Sequence, residues 1–80
     1  SPNPTADWVT VKLVDAPASW YSIKVFDLNG RLVFTQEKDM GPSTLTETAI
    51  DLRKEAAGVY IIEVVDKVRD LGHAMRVLKQ

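Results

Sequence analysis

Val25-Phe26-Asp27-Leu28-Asn29-Gly30-Arg31-Leu32-Val33 is the stretch whose reading decides the fold. Two apolar runs flank a turn whose residues suit unusual backbone geometry. Asp27 can bond its own backbone, Asn29 tolerates the bridge and left-handed regions, and Gly30 takes a positive φ without a Cβ clash. Two hairpin registers compete. A two-residue type I′ turn at Asn29-Gly30 sets Asp27 opposite Leu32 and Val25 opposite Phe34. A type I turn closed by a bulge at Gly30 sets Asp27 opposite Arg31, Phe26 opposite Leu32 and Val25 opposite Val33. The second register matches like with like on both faces and is preferred. In it Asp27 and Arg31 form a cross-strand clasp.

Outward from this hairpin, its arms are residues 20–28 and 32–36, with Tyr21, Ile23 and Val25 on one face of the first. Upstream, residues 8–14 alternate, with Val9, Val11 and Leu13 on one side and Trp8, Thr10 and Lys12 on the other, as in a half-buried strand. Residues 15–19, containing Pro17, break that strand. Residues 1–7 are an entry segment stiffened by Pro2 and Pro4, which hold Ser1 and Asn3 extended. Pro4 also disqualifies Asn3-Pro4-Thr5 as a glycosylation acceptor.

Downstream, residues 37–43, with Gly41-Pro42, read as a connection between sheet edges. Residues 44–52 predict a strand with Thr46, Thr48, Ile50 and Leu52 on a common face. Residues 53–57 are too few to sustain a helix, and Gly58 ends them. Residues 59–66 are apolar on both faces, which predicts a central strand covered on both sides. A hairpin loop over 67–72 leads to a last strand over 73–79. Six or seven short strands and no sustained helical period predict an all-β fold, an immunoglobulin-like antiparallel β-sandwich, over a single domain of residues 1–80.

With 80 residues the chain sits near the lower size limit for a self-supporting core. Such a chain buries roughly 60–65% of its unfolded surface. A composition 45% hydrophobic and 26% charged is that of an ordinary folded domain. The net charge is −1 with scattered cations, so no electrostatic footprint for nucleic acid or an anionic membrane is expected. The absence of cysteine removes disulfides and thiolate metal sites but does not identify a compartment. No apolar run approaches the length of a membrane span, and no signal peptide opens the residues given.

Site chemistry finds little purchase. His73 is the sole histidine, with only dispersed carboxylates for company, so it reads as an exposed or half-buried strand residue. Asp27-Leu28-Asn29-Gly30 starts like a calcium loop, but its glycine comes too early and Lys38 stands where the bidentate Glu belongs. Gly41-Pro42-Ser43 lacks the glycines of a nucleophile elbow, and no phosphate loop is present. Asp7 and Asp15 flank a strand with nothing to bring them to acid/base distance. Neither catalysis nor a cofactor is expected. Trp8, Trp20, Tyr21 and Tyr60 are the residues that would stack on a sugar ring; for Tyr21 and Tyr60 a place in the core is favoured.

Four stretches, in order, carry a resemblance. Pro2-Asn3-Pro4-Thr5 with Asp7 and an alternating strand, the hairpin around Asp27, Asn29, Gly30 and Arg31, Ile50-Asp51-Leu52 followed by Ala57-Gly58-Val59-Tyr60-Ile61-Ile62, and the ending Val77-Leu78-Lys79 together resemble the C-terminal sorting domain of the bacterial type IX secretion system. Each stretch alone is weak, and the ordered set is specific. Ser1 departs from the aromatic or aliphatic residue the family tends to place before the first proline, and Gln80 extends one residue past the usual terminal lysine.

The resemblance implies a folded address label. Such a domain follows cargo domains upstream in the parent chain, which enters the periplasm by a signal peptide absent from these residues. It is read by translocon and shuttle components of the type IX system. It is then a substrate of a surface sortase, which leaves the cargo at the outer membrane, on the cell surface or secreted. Within it, the terminal strand with Met75, Arg76, Val77, Leu78 and Lys79 is the expected recognition element, since a free strand can pair with a partner's sheet edge. An exposed edge strand would also permit a weak dimer. The rival class is an immunoglobulin-like adhesive or carbohydrate-binding module retained on a secreted protein, which fold alone does not separate from an address label.

Overall fold

The computed structural model describes residues 7–40 and 43–80, which hold six strands and no helix. The strands are β1 (Trp8–Ala16), β2 (Ser19–Asp27), β3 (Leu32–Met40), β4 (Ser43–Asp51), β5 (Gly58–Asp66) and β6 (Leu71–Lys79). They form two antiparallel sheets, β1-β4 and β3-β2-β5-β6, packed in a sandwich. The expected all-β architecture is the one found.

Strand alternation builds the core. Tyr21, Ile23 and Val25 of β2, Tyr60, Ile62 and Val64 of β5 and Val77 of β6 point to one side of the larger sheet. They meet Val11 of β1, Ile50 of β4 and Leu52 just beyond it. Each fully buried aliphatic side chain in this layer stabilises the fold by roughly 1.5–3 kcal/mol relative to exposure. Tyr21 and Tyr60 are core residues, as favoured from the sequence. Each lies three residues into its strand and donates its hydroxyl hydrogen bond to a carbonyl four residues upstream, on Pro17 and Ala56. This pins the incoming loop to the strand in the manner of a tyrosine corner.

The central turn combines features of both expected registers. Gly30 has a φ of +82°, its N–H donates to the Asp27 carbonyl at 3.0 Å, and the Asp27 N–H donates to the Arg31 carbonyl at 3.0 Å. Asn29 does not take a positive φ, so the turn is type I closed by Gly30 and not type I′. Phe26 faces Leu32 as expected. One step further the register shifts, and Val25 faces Phe34 in place of Val33. Val33 is the extra residue of a second bulge, and its side chain packs partly buried against the core.

Three expectations about elements need correction. Residues 37–40 are strand, not connection: β3 runs to Met40, paired along the whole of β2. Their alternating charges, Glu37, Lys38 and Asp39, mark an exposed edge strand, where charge guards against unwanted pairing. Strand β5 is central, but the described residues cover only one of its faces. Val59, Ile61 and Val65 on the other face remain half-exposed. Residues 71 and 72 belong to β6 and not to the loop, so the β5–β6 turn is residues 67–70, with Asp70 at a φ of +57°. Gly41-Pro42 and the Pro2-Asn3-Pro4 opening lie outside the described residues.

Candidate functional site

Three strand ends share one local design. β2, β4 and β5 each finish on an aspartate, Asp27, Asp51 and Asp66. Asp27 Oδ1 accepts hydrogen bonds from the backbone N–H groups of Asn29 and Arg31, both at 2.9 Å, while Oδ2 pairs with Arg31 Nε at 3.1 Å. Arg31 also reaches Glu55 at 3.7 Å, tying the hairpin tip to the loop before β5. Asp51 accepts from the Arg53 backbone at 2.9 Å and from its guanidinium at 2.8 and 3.0 Å. Asp66 is buried, and its carboxylate accepts from the Ser19 hydroxyl, from the Val68 and Arg69 backbone N–H groups and from the Arg69 guanidinium. Arg69 continues to the Ala18 carbonyl, so β2, β5 and the β5–β6 turn are joined at one point.

These contacts lower all three carboxyl pKa values. For Asp27 the main cause is the hydrogen bond from the Arg31 backbone, and for Asp66 the hydrogen bond from Ser19. The Arg53 side chain, followed by its backbone N–H, takes Asp51 down to about 2. Burial pushes the Tyr60 hydroxyl up. All these shifts hold groups in one protonation state at neutral pH, which stabilises turns and does not poise a group for proton transfer.

Catalytic constellations do not assemble among the described residues. Asp7 and Asp15 stand at opposite ends of β1, about 26 Å apart along an extended strand. His73 is exposed on β6, opposite Val64 of β5. No group of three or more acidic, histidine or cysteine residues lies close enough to hold a metal ion among the described residues. Nor do the aromatics form one platform: Tyr21 and Tyr60 are in the core, Trp8 stands on β1 with Arg53 stacked 5.0 Å above its ring, and Trp20 is exposed on β2 in the other sheet.

What the molecule offers instead is a free edge. β6 pairs with β5 alone, so its outer edge presents backbone donors and acceptors that no strand of the described chain engages. Of the five residues singled out from sequence on this strand, Met75, Arg76 and Leu78 are exposed, whereas Val77 is 1% and Lys79 8% exposed. Arg76 and Leu78 lie on the outer face, beside Ile61 and Val59 of β5, where an open apolar hollow of about 570 Å³ runs along the strand pair. A second hollow, of about 490 Å³, lies between the free edge of β1 and the inner-facing Leu71, His73 and Met75. Asp27, Asn29, Gly30 and Arg31 converge at the hairpin tip as one hydrogen-bonded unit, whose donor and acceptor atoms are mostly occupied by one another. Gly58 opens β5, and Tyr60 is locked beneath it.

The Asp51–Arg53 and Asp66–Arg69–Ser19 networks escaped sequence reasoning. Their signal was present: an aspartate closing a strand, with arginine two or three residues later.

A family profile described as "Secretion system C-terminal sorting domain" matches residues 2–74. No curated protein and no solved structure matches the chain. The matched span takes in the Pro2-Asn3-Pro4 opening, the central hairpin and β5, and stops just short of Met75. Its family is not an enzyme family. The chain belongs to the family of type IX secretion system C-terminal sorting domains, and its role is that of a sorting signal for export to the cell surface or beyond.

Proposed function

We propose that this domain is a folded, passive address label read at the free edge of β6. The observation that carries the proposal is an edge strand whose outer side no described strand pairs with, with Arg76 and Leu78 turned outward beside it, in a member of a sorting family. A translocon or shuttle subunit adds its own strand to this edge. Backbone hydrogen bonds supply affinity, and the exposed Met75, Arg76 and Leu78 select register. Val77 and Lys79 contribute from inside, by anchoring the strand so that its edge is presented in one geometry.

In this reading the parent chain crosses the periplasm with its cargo folded upstream and passes the outer membrane through the type IX system. A surface sortase then removes the domain by cleaving on its N-terminal side, near the Pro2-Asn3-Pro4 segment. The domain is a substrate throughout. The Pro2-Asn3-Pro4 motif stands between cargo and sandwich in the sequence, while Asp27, Asn29, Gly30, Arg31, Gly58 and Tyr60 set the fold.

A reporter fused upstream of the domain tests the edge hypothesis in a host with a working type IX system. Removing residues 76–80 is expected to abolish surface delivery, and Arg76→Glu with Leu78→Ser is expected to reduce it with folding intact. Normal delivery of the double variant would refute recognition at this edge.

A further inference from the structure

The outer face of the larger sheet carries a pattern with two-fold self-complementarity. Here β2 and β5 lie side by side at the centre, with Phe26 opposite Ile61, Lys24 opposite Glu63 and Ser22 opposite Val65. Alternation places all six on the side away from the core, because Tyr21, Ile23 and Val25 of β2 and Tyr60, Ile62 and Val64 of β5 fill the inner side. Apart from the buried Ser22, these six are partly exposed, and no described element of the chain lies over them. Lys24 and Glu63 face each other across the strands, yet no ion pair joins them among the described residues.

We infer that this face pairs with the same face of a second copy, about a two-fold axis parallel to the strands and running over the β2–β5 seam. That rotation exchanges the positions of β2 and β5. Phe26 of each copy then meets Ile61 of the other, and Lys24 of each meets Glu63 of the other, so every contact occurs twice, as an isologous interface requires. The twist of the two sheets sets the pair in aligned sheet-on-sheet packing. The charge pattern argues for a second copy over an unrelated partner: the positive and negative positions sit symmetrically about the seam, and each copy supplies the complement of the other.

Size sets the strength. Four strands of nine residues present a face of about 30 by 19 Å, so pairing two faces buries about 1,100 Å², just above the threshold for a specific contact and below a standard interface. The long dimension of the molecule, 34 Å, accommodates such a face. An interface of that size belongs with weak, transient contacts. This pairing covers the face of β5 that the described chain leaves open and, with it, Arg76 and Leu78 on the outer face of β6, while the backbone edge of β6 stays free for a partner strand. It differs from a dimer made by joining edge strands.

Sedimentation equilibrium over about 10 µM to 1 mM measures the association. Wild type is expected to dimerise. Lys24→Glu alone and Glu63→Lys alone are each expected to weaken dimerisation at least about tenfold, since each places like charges in contact twice. An equimolar mixture of the two variants is expected to recover it, because a heterodimer restores both opposite-charge contacts. Recovery also shows that both variants are folded. A wild type that stays monomeric at 1 mM overturns the inference. So does a dimer indifferent to both charge changes, which would place the contact at a sheet edge, and so does a mixture no more associated than its components.

Discussion

Asp27, Asp51 and Asp66 each end a strand, and each holds an arginine two to four residues ahead. A carboxylate that accepts backbone N–H groups while paired with a guanidinium binds its proton weakly in the folded state. Its contribution to stability is therefore complete above the pKa of the unfolded chain, near 3.8, and disappears as pH falls through the lower folded-state value, about 2 for Asp51. Urea midpoints should be flat from pH 7 to about 5 and fall steadily below about 4. Asp66→Asn should flatten that acid limb more than Asp27→Asn, since Asp66 is buried and gathers contacts from two strands and a turn. At Gly30 the cost of a side chain is conformational alone: φ is +82°, and an added Cβ meets nothing within 4 Å. Gly30→Ala should lose about 1–2 kcal/mol in a denaturant titration, and Gly30→Asn less, because Asn tolerates the left-handed region. Tyr60→Phe should lose about 1 kcal/mol by leaving the Ala56 carbonyl without its donor.

At the scale of elements, the proposed reading gives β6 two jobs that mutation can separate. Val77, 1% exposed, completes the core; Val77→Ala should lower stability by about 1–3 kcal/mol, read from the denaturant midpoint. Arg76 and Leu78 face outward, and changing them should alter stability by no more than about 0.5 kcal/mol while reducing surface delivery of a fused reporter. How legible each element was in the sequence follows from its period. β1 and β2 have clean alternation and β5 is a short apolar run, so all three were legible, as was the Asn29-Gly30 turn. The far half of β3 was not, because Glu37, Lys38 and Asp39 on an edge strand have the composition of a loop. The second bulge at Val33 was hidden too, since an apolar residue fits either face and only the pairing of Val25 with Phe34 reveals it. On β6, period-two alternation separates Val77 from Arg76 and Leu78 once the strand is drawn. The five residues singled out at the strand end therefore divide into buried Val77 and Lys79 and exposed Met75, Arg76 and Leu78.

For the whole molecule, four strands lie against two, and the imbalance leaves surface in defined places. Residues of the larger sheet beyond the reach of β1 and β4, such as Leu71 and Met75, stay 60% and 37% exposed although they point to the core side. Sequence pattern assigns faces but not how much of a face the opposite sheet covers, so the expectation of a doubly covered β5 failed while its central position held. Carboxylates and tyrosine hydroxyls tie the turns of the sandwich to its strands at several points. On the proposed reading these ties matter because a partner strand pairs best with an edge held in one geometry. The most direct test of this role places the complete domain at the C-terminus of an inert periplasmic reporter, in isogenic hosts with and without a functional type IX translocon. The account predicts reporter on the surface or in the medium of the competent host alone, with mass spectrometry showing the domain removed. Reporter that stays periplasmic in the competent host, or that reaches the surface equally without the translocon, would contradict it.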